Sequence, residues 1–299
     1  MNDPQAKPQN TIRGIAFMLA AMLIFSAQDG ISKHLAAHYS TVLITMLRYW
    51  VFGLAVVLIL ARVGFRKGLK SAQPKLQMFR GALLSLQIII AIYAFHAHGL
   101  LETHAIFAFG PLLVVALSGP VLGEKVGWRR WAAVGVGLCG MLMILRPGAQ
   151  ALSATMGIAI VAMIGFVIYG LATRKVAKTD GAMTSFYYTG LFGAITITMI
   201  GPFFWEWMTP TDSLLMLTLS LTGMTGHYLL IKAFEAAEAA AIQPFAYLQT
   251  AFAGGIGVLW FGEALSLWTV AGSAVVISAG LFALWREQVA AREARGARS

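Results

Sequence analysis

Charge is what this sequence has least of. Asp, Glu, Lys and Arg make up 11% of its 299 residues, and apolar residues make up 59%. A soluble domain carries roughly 25% charged residues. An ordinary soluble enzyme is thereby excluded, and so is a disordered chain, which needs many charges and few apolar residues. Acidic residues are the scarcest, 12 against 22 Lys and Arg, for a net charge of +10. In a soluble protein that excess would suggest nucleic acid. In so apolar a chain, cations gathered in cytoplasmic loops explain it better, and no nucleic-acid partner is expected. The single cysteine, Cys139, excludes an internal disulfide and a cysteine-based metal cluster. It lies in an apolar run and reads as a small packing residue. Catalytic motifs are missing too: no His-Glu-x-x-His, no Gly-x-Ser-x-Gly, and no Gly-rich loop ending in Lys-Ser/Thr. Neither an enzyme nor a bound cofactor or metal is expected.

What the chain does have is long apolar runs. A spanning helix needs about 20 residues. Runs broken by charge or by Pro and Gly predict ten such helices, at about 12–35, 40–62, 76–97, 101–121, 128–146, 154–175, 181–203, 212–234, 239–261 and 265–285. The first run is too long for a signal-peptide core and no Ala-x-Ala-like site follows it, so it reads as a retained helix. Segments 1–11 and 287–299 read as cytoplasmic tails, the second of them basic.

The basic residues orient these helices. With a cytoplasmic N-terminus, the inner segments hold 19 of the 22 Lys and Arg, including the stretch from Arg62 to Arg80. Lys33 and Arg146 fall outside, and Arg48 lies within a span. The opposite orientation would invert this ratio. Both termini are therefore placed in the cytoplasm of a bacterial cell, in its inner membrane. Trp128, Trp131, Trp205, Trp207, Trp268 and Trp285 fall near span ends and read as an interfacial belt.

The chain also looks duplicated. Residues 122–147 begin LGEKVGWRRW and residues 261–286 begin FGEALSLWTV. In both, a Gly-Glu pair follows one apolar helix and precedes a last one, with Glu124 and Glu263 139 residues apart. Gly14-Ile15-Ala16 recurs as Gly157-Ile158-Ala159. Two five-helix units, 12–147 and 154–286, follow. Five is odd, so the second unit enters the membrane upside down. Inverted repeats mark secondary transporters, whose sites lie near the midplane. With no ATP-binding motif, transport would draw on a gradient.

These residues resemble the EamA-type branch of the drug/metabolite transporter superfamily. The Gly-Glu pairs, the stretch GHYLLIKAFE at 226–235 and QPFAYLQ at 243–249 carry the likeness over about residues 11–286. The resemblance implies an all-α membrane fold of ten helices in two inverted five-helix repeats around a central cavity. It implies that the fourth and ninth helices lead to that cavity, and that the last helix of each half supports packing or a homodimer. Residues 13–35 and Arg48-Tyr49-Trp50 are similar to alphaproteobacterial members described as riboflavin importers, and to relatives assigned S-adenosylmethionine. Riboflavin uptake is the leading expectation. Amino-acid export and S-adenosylmethionine-like cargo are the alternatives, with a non-transporting membrane protein further off.

Polar groups inside spans are expensive, so each is a site candidate. Asp29 is the one acidic residue well inside a span. It shares a helix face with Lys33, and Arg48 on the next helix is its other expected partner; either pair reads as structural or as substrate-linked. Gln87 and His227 occupy the third helix of each half near mid-depth, facing the cavity or bonded within the core. A flat substrate would stack on aromatics and be read by amides. Tyr169, Tyr228 and Tyr247, with Gln243, are the candidates carried forward, beside Trp50, Tyr93, Tyr188 and Gln249. Plain packing is the alternative for each aromatic. His96, His98, Glu102 and His104 cluster at a short junction, where exposure explains them more simply than a metal. Pro111, Pro120 and Pro244 would kink their helices, as static bends or as hinges.

Overall fold

A computed structural model describes residues 10–124, 127–145, 154–264 and 266–296 of the chain. Among these residues every regular element is helical. The first half contains α1 (Thr11–Ala36), α2 (Thr41–Val63), the single turn α3 (Phe65–Gly68), α4 (Pro74–His98), α5 (Leu100–Phe107), α6 (Gly110–Leu122) and α7 (Trp128–Leu145). The second half contains α8 (Ala154–Ala177), α9 (Ala182–Thr198), α10 (Pro210–Ala236), the single turn α11 (Ala239–Ile242), α12 (Tyr247–Phe261) and α13 (Leu267–Gly296). Lys7, Lys125, Arg146 and Arg298, which entered the charge count, lie outside the described residues.

Helices dominate because a backbone in hydrocarbon must satisfy its own N–H and C=O groups. Their ends follow local chemistry. Asn10 Oδ1 accepts from Arg13 N at 3.0 Å and starts α1. Ser40 Oγ accepts from Val42 N at 3.3 Å and starts α2. Thr209 Oγ1 accepts from Asp212 N at 3.2 Å, with Pro210 in the first turn of α10. Among the described residues six segments are long and apolar enough to cross a bilayer: Thr11–Ala36, Thr41–Val63, Pro74–His98, Leu100–Leu122, Met156–Ala177 and Pro210–Ala236. Trp131–Leu145 and Leu267–Phe282 are shorter apolar helices.

The expected fourth and ninth helices are broken. Pro111 lacks the N–H that would bond one turn back, and the chain pauses between α5 and α6. Pro244 stands in a 3₁₀ turn, Gln243–Ala246, that separates α11 from α12. Proline spacing thus foretold both breaks. Discontinuous helices are where transporters put their sites.

Packing runs largely between the halves. Helix α1 packs on α10 and α4 packs on α8; α2 meets α9, α5 meets α12, and α7 meets α13. Gly140 and Gly272 bring α7 and α13 so close that a Cβ on either would come within 2.8 Å of the other's carbonyl oxygen.

Two sequence expectations fail here. Arg80 is no loop residue; it sits on the second turn of α4, wholly buried. Charge counting places a residue along the chain but is blind to the helix face it occupies. Cys139 is exposed on α7 and packs no core. The six tryptophans near helix ends are all exposed.

Candidate functional site

Seven helices converge on one cavity. Its wall combines Gln28 and Asp29 of α1, Arg48 of α2, Gln87 of α4, His227 of α10 and Gln249 of α12 with Phe25, Phe95, Phe107 and Phe166. Four of the residues singled out by charge or polarity within apolar runs, Asp29, Arg48, Gln87 and His227, meet in this one space.

Asp29 is the cavity's carboxylate. Gln249 Nε2 donates to its Oδ2 at 2.8 Å. His104 Nε2 lies 3.1 Å from the same oxygen, in ion-pair range but without hydrogen-bond geometry. The His104 ring stacks on Phe95 with centroids 5.2 Å apart. Arg48 points into the same wall and donates from Nη2 to Gln28 Oε1 at 3.0 Å. Glycine 223 makes room for it, since a Cβ there would come within 2.8 Å of Nη2. Gln87 Nε2 donates to the Ala162 carbonyl at 3.3 Å. His227 is packed by Phe25 at 4.9 Å and by the edge of Tyr169 at 6.0 Å, and its Nδ1 is buried without a hydrogen-bond partner.

The expected ion pairs are not the ones formed. Among the described residues no carboxylate lies within 4.0 Å of Arg48, whose bond goes to Gln28 instead of Asp29. Lys33 reaches past Asp29 to Glu263, in the loop after α12. Position along a helix does not fix pairing, which also depends on rotation about each helix axis. The histidine cluster also dissolves. His98 pairs with Glu102 at 3.3 Å, whereas His104 turns inward to Asp29. No group of three metal-ligating side chains exists among the described residues.

Other candidates are placed apart. Gln243 lines a second cavity with His104, Pro111 and Thr250. The Tyr169 hydroxyl accepts from Arg80 Nη1 at 3.2 Å, and only its ring edge approaches the site. Tyr228 packs edge-on against Phe186 at 5.4 Å. Tyr247 belongs to a separate core, wedged against Gly280. None of these three tyrosines lines the cavity.

The two cavities are small, about 70 and about 40 Å³. That is room for a few waters, whereas a metabolite pocket takes roughly 300–1,000 Å³. Phe107, Phe166 and Gln249 line both cavities and so form the partition between them. The described conformation is a contracted one.

The profile of the EamA-like transporter family matches residues 12–146 and again residues 154–285. The chain belongs to the EamA-like transporter family. It is similar to an S-adenosylmethionine uptake transporter of Rickettsia bellii, 24% identical over 279 residues, covering 93% of this chain and 95% of that one. It is similar to a riboflavin transporter of Vibrio cholerae, 23% identical over 94% and 96% of the two chains. A pseudopaline exporter of Pseudomonas aeruginosa is 22% identical over 89% and 94%. One solved crystal structure shares the fold at a TM-score of 0.64 and 16% identity, covering 89% of this chain and 94% of that one. This EamA-family chain is a multi-pass membrane transporter, and its relatives' cargoes differ.

Sequence reasoning undervalued three residues around the candidate site. Gln28 and Gln249 were visible as amides inside apolar runs, and Pro244 one turn before Gln249 was the available signal. His104 carried the same signal beside Pro111, but a short junction was taken as a surface.

Proposed function

We propose that the chain moves a small metabolite bearing both a cationic amino group and a carboxylate, of the S-adenosylmethionine type, by alternating access between two inverted five-helix repeats. The carrying observation is that Asp29 and Arg48 stand in the wall of one cavity without pairing to each other. Arg48 is a buried charge without an opposite partner, which is expensive, and Asp29 has only His104 and Gln249 beside it. A dipolar substrate would satisfy both, its ammonium at Asp29 and its carboxylate at Arg48. His227 Nδ1 and Gln87 would read its remaining polar edge, and the phenylalanines would flank a cationic or flat body.

The exchange of packing partners supports the repeat reading. Carrying each helix to its counterpart turns the α1–α10 contact into the α4–α8 contact and the α5–α12 contact into the α6–α11 contact, and leaves α2–α9 and α7–α13 in place. In this reading ten helices span a bacterial inner membrane, residues 12–147 and 154–286 are the repeats, and both tails are cytoplasmic. Loading enlarges the cavity by moving the Phe107–Phe166–Gln249 partition.

Four phenylalanines around the cavity favour a second reading, riboflavin, whose flat neutral ring would stack between them. Riboflavin would leave Arg48 without an opposite charge, which places it second. Uptake of labelled S-adenosylmethionine and of riboflavin into right-side-out and inverted membrane vesicles separates the two. Saturable S-adenosylmethionine transport, lost in Asp29→Asn and Arg48→Gln, is expected. Riboflavin transport indifferent to Arg48→Gln would establish the second reading instead. Transport of neither would overturn both cargoes.

A further inference from the structure

We infer that Glu263 and Glu124 are the latches of the two mouths of the transport path, each closing one end of the bundle by joining elements of both halves. This rests on the transporter reading above but not on any cargo.

The first latch closes the end where α1 finishes. Glu263 Oε1 accepts from Leu100 N at 2.8 Å and Oε2 from Leu101 N at 2.7 Å, so its carboxylate caps the start of α5. Lys33 Nζ donates to Oε1. The carboxylate lies in a cradle bounded by two glycines: a Cβ at Gly257 would come within 2.6 Å of Oε2, and one at Gly99 would stand 3.1 Å from the carboxylate. Gly262, at φ 64°, turns the chain so that Glu263 follows α12 immediately, a left-handed position that favours glycine. One carboxylate thus ties the end of α1, the start of α5 and the end of α12. These are the helices that bring Asp29, His104 and Gln249 together. Lys33 is one helical turn beyond Asp29, and Leu100 is one turn before His104. The latch is one turn above the Asp29 cluster on both helices.

The second latch repeats the design at the other end. Gly123, at φ 71°, turns the chain after α6, and Glu124 follows it. Glu124 Oε1 accepts from Arg174 Nε at 3.1 Å at the end of α8, and Arg174 Nη1 donates to the Phe234 carbonyl at 2.9 Å at the end of α10. Glu124 and Arg174 are both buried. Asn10 N donates to the Ala236 carbonyl at 2.9 Å, which sets the end of α10 beside the start of α1. Lys33 is about 33 Å along α1 from there, so the latches stand at opposite ends. Each joins a glutamate of one half to a cation closing the first helix of the other. Both are made at once in this structure. Opening a mouth must release its own latch and can leave the other in place.

The test reads accessibility from each side without substrate. In a Cys139→Ala background, Ala91→Cys puts a thiol in the cavity wall, and a membrane-impermeant methanethiosulfonate is applied to spheroplasts or to inverted vesicles. Glu263→Gln should speed labelling about tenfold from the outer side only. Glu124→Gln should do so from the cytoplasmic side only. Lys33→Met removes the cation but leaves the helix cap, and should act as Glu263→Gln does, more weakly; it carries the test should Glu263→Gln fail to fold. The two effects exchanged between sides would support the latches and reverse the orientation. Labelling unchanged in both glutamate variants, or raised equally from both sides, would overturn the latches, and intact uptake beside that result would leave the transporter reading standing.

Discussion

The molecule buries two arginines in helix walls and treats them oppositely. Arg80, on α4, is saturated. Its Nη2 donates to Gln77 Oε1 at 2.9 Å and to the Ser185 carbonyl at 2.5 Å, and its Nη1 to Tyr169 and Thr173 at 3.2 and 3.3 Å. Gln77 in turn donates to Asp180 at 2.9 Å and to Ser185 Oγ at 2.9 Å. Arg48, on α2, makes one side-chain bond, to Gln28, and faces the cavity. A guanidinium has five N–H groups. Where they are used up the residue fixes α4 against α8 and α9; where they are spare it can take a carboxylate from elsewhere. Burial alone would have ranked Arg80 first as a binding residue, whereas unspent hydrogen-bonding capacity ranks Arg48 first.

The largest effect should come from the saturated side. Arg80→Ala strips partners from Gln77, Tyr169, Thr173 and a carbonyl in one step, and breaking such a buried network costs about 3–5 kcal/mol. Thermal unfolding of the detergent-purified protein should show a large fall in Tm, with transport per folded molecule retained. The inverse is expected at the spare side. Arg48→Gln should leave Tm within a few degrees and cut uptake about 30-fold or more, the factor for roughly 2 kcal/mol lost at a desolvated charge. Equal behaviour of the two variants would erase the distinction.

The same distinction marks what the sequence could and could not tell. Long apolar runs made the helices legible, and Pro111 and Pro244 made the breaks in them legible, because each follows from chemistry local to the chain. Asp29, Arg48, Gln87 and His227 were legible as candidates because a polar group in hydrocarbon needs a reason, and they line one cavity. Their partners were not, because pairing is set by how helices rotate against each other. Lys33 shares a face with Asp29 and bonds Glu263, 230 residues away. Tyr169, Tyr228 and Tyr247 could not be sorted in advance, since an aromatic ring packs equally well in a core or a cavity. Arg80 was hidden by its own sign: a positive charge near a helix start looks like a loop cation whether it faces water or is buried.

A third measurement sharpens the comparison inside the cavity. Gln249 supplies a hydrogen bond that orients Asp29, and its backbone carbonyl accepts from Ser26 Oγ at 3.4 Å. Removing a hydrogen bond to a charged group costs roughly 1.5–3 kcal/mol. Gln249→Ala should therefore raise the substrate concentration for half-maximal uptake about tenfold, with folding unaffected. An unchanged half-maximal concentration would take Asp29 out of substrate binding.

The smallest effect belongs to the partly exposed Glu263. Burial alone would push its carboxyl up, but the Lys33 ammonium bond and the amides of Leu101 and Leu100 outweigh it and hold it below the usual carboxylate range. A depressed folded-state value means stability that is present above the unfolded value of about 4.5 and is lost as pH falls through the lower folded one. Surface pairs of this kind contribute about 0–1 kcal/mol, screened by salt. The wild-type Tm should thus fall slightly more steeply below about pH 4.5 than that of Glu263→Gln. Equal slopes would mean that the carboxylate is as well solvated in the unfolded chain as in its cradle, and that the closed mouth owes its stability to helix packing alone.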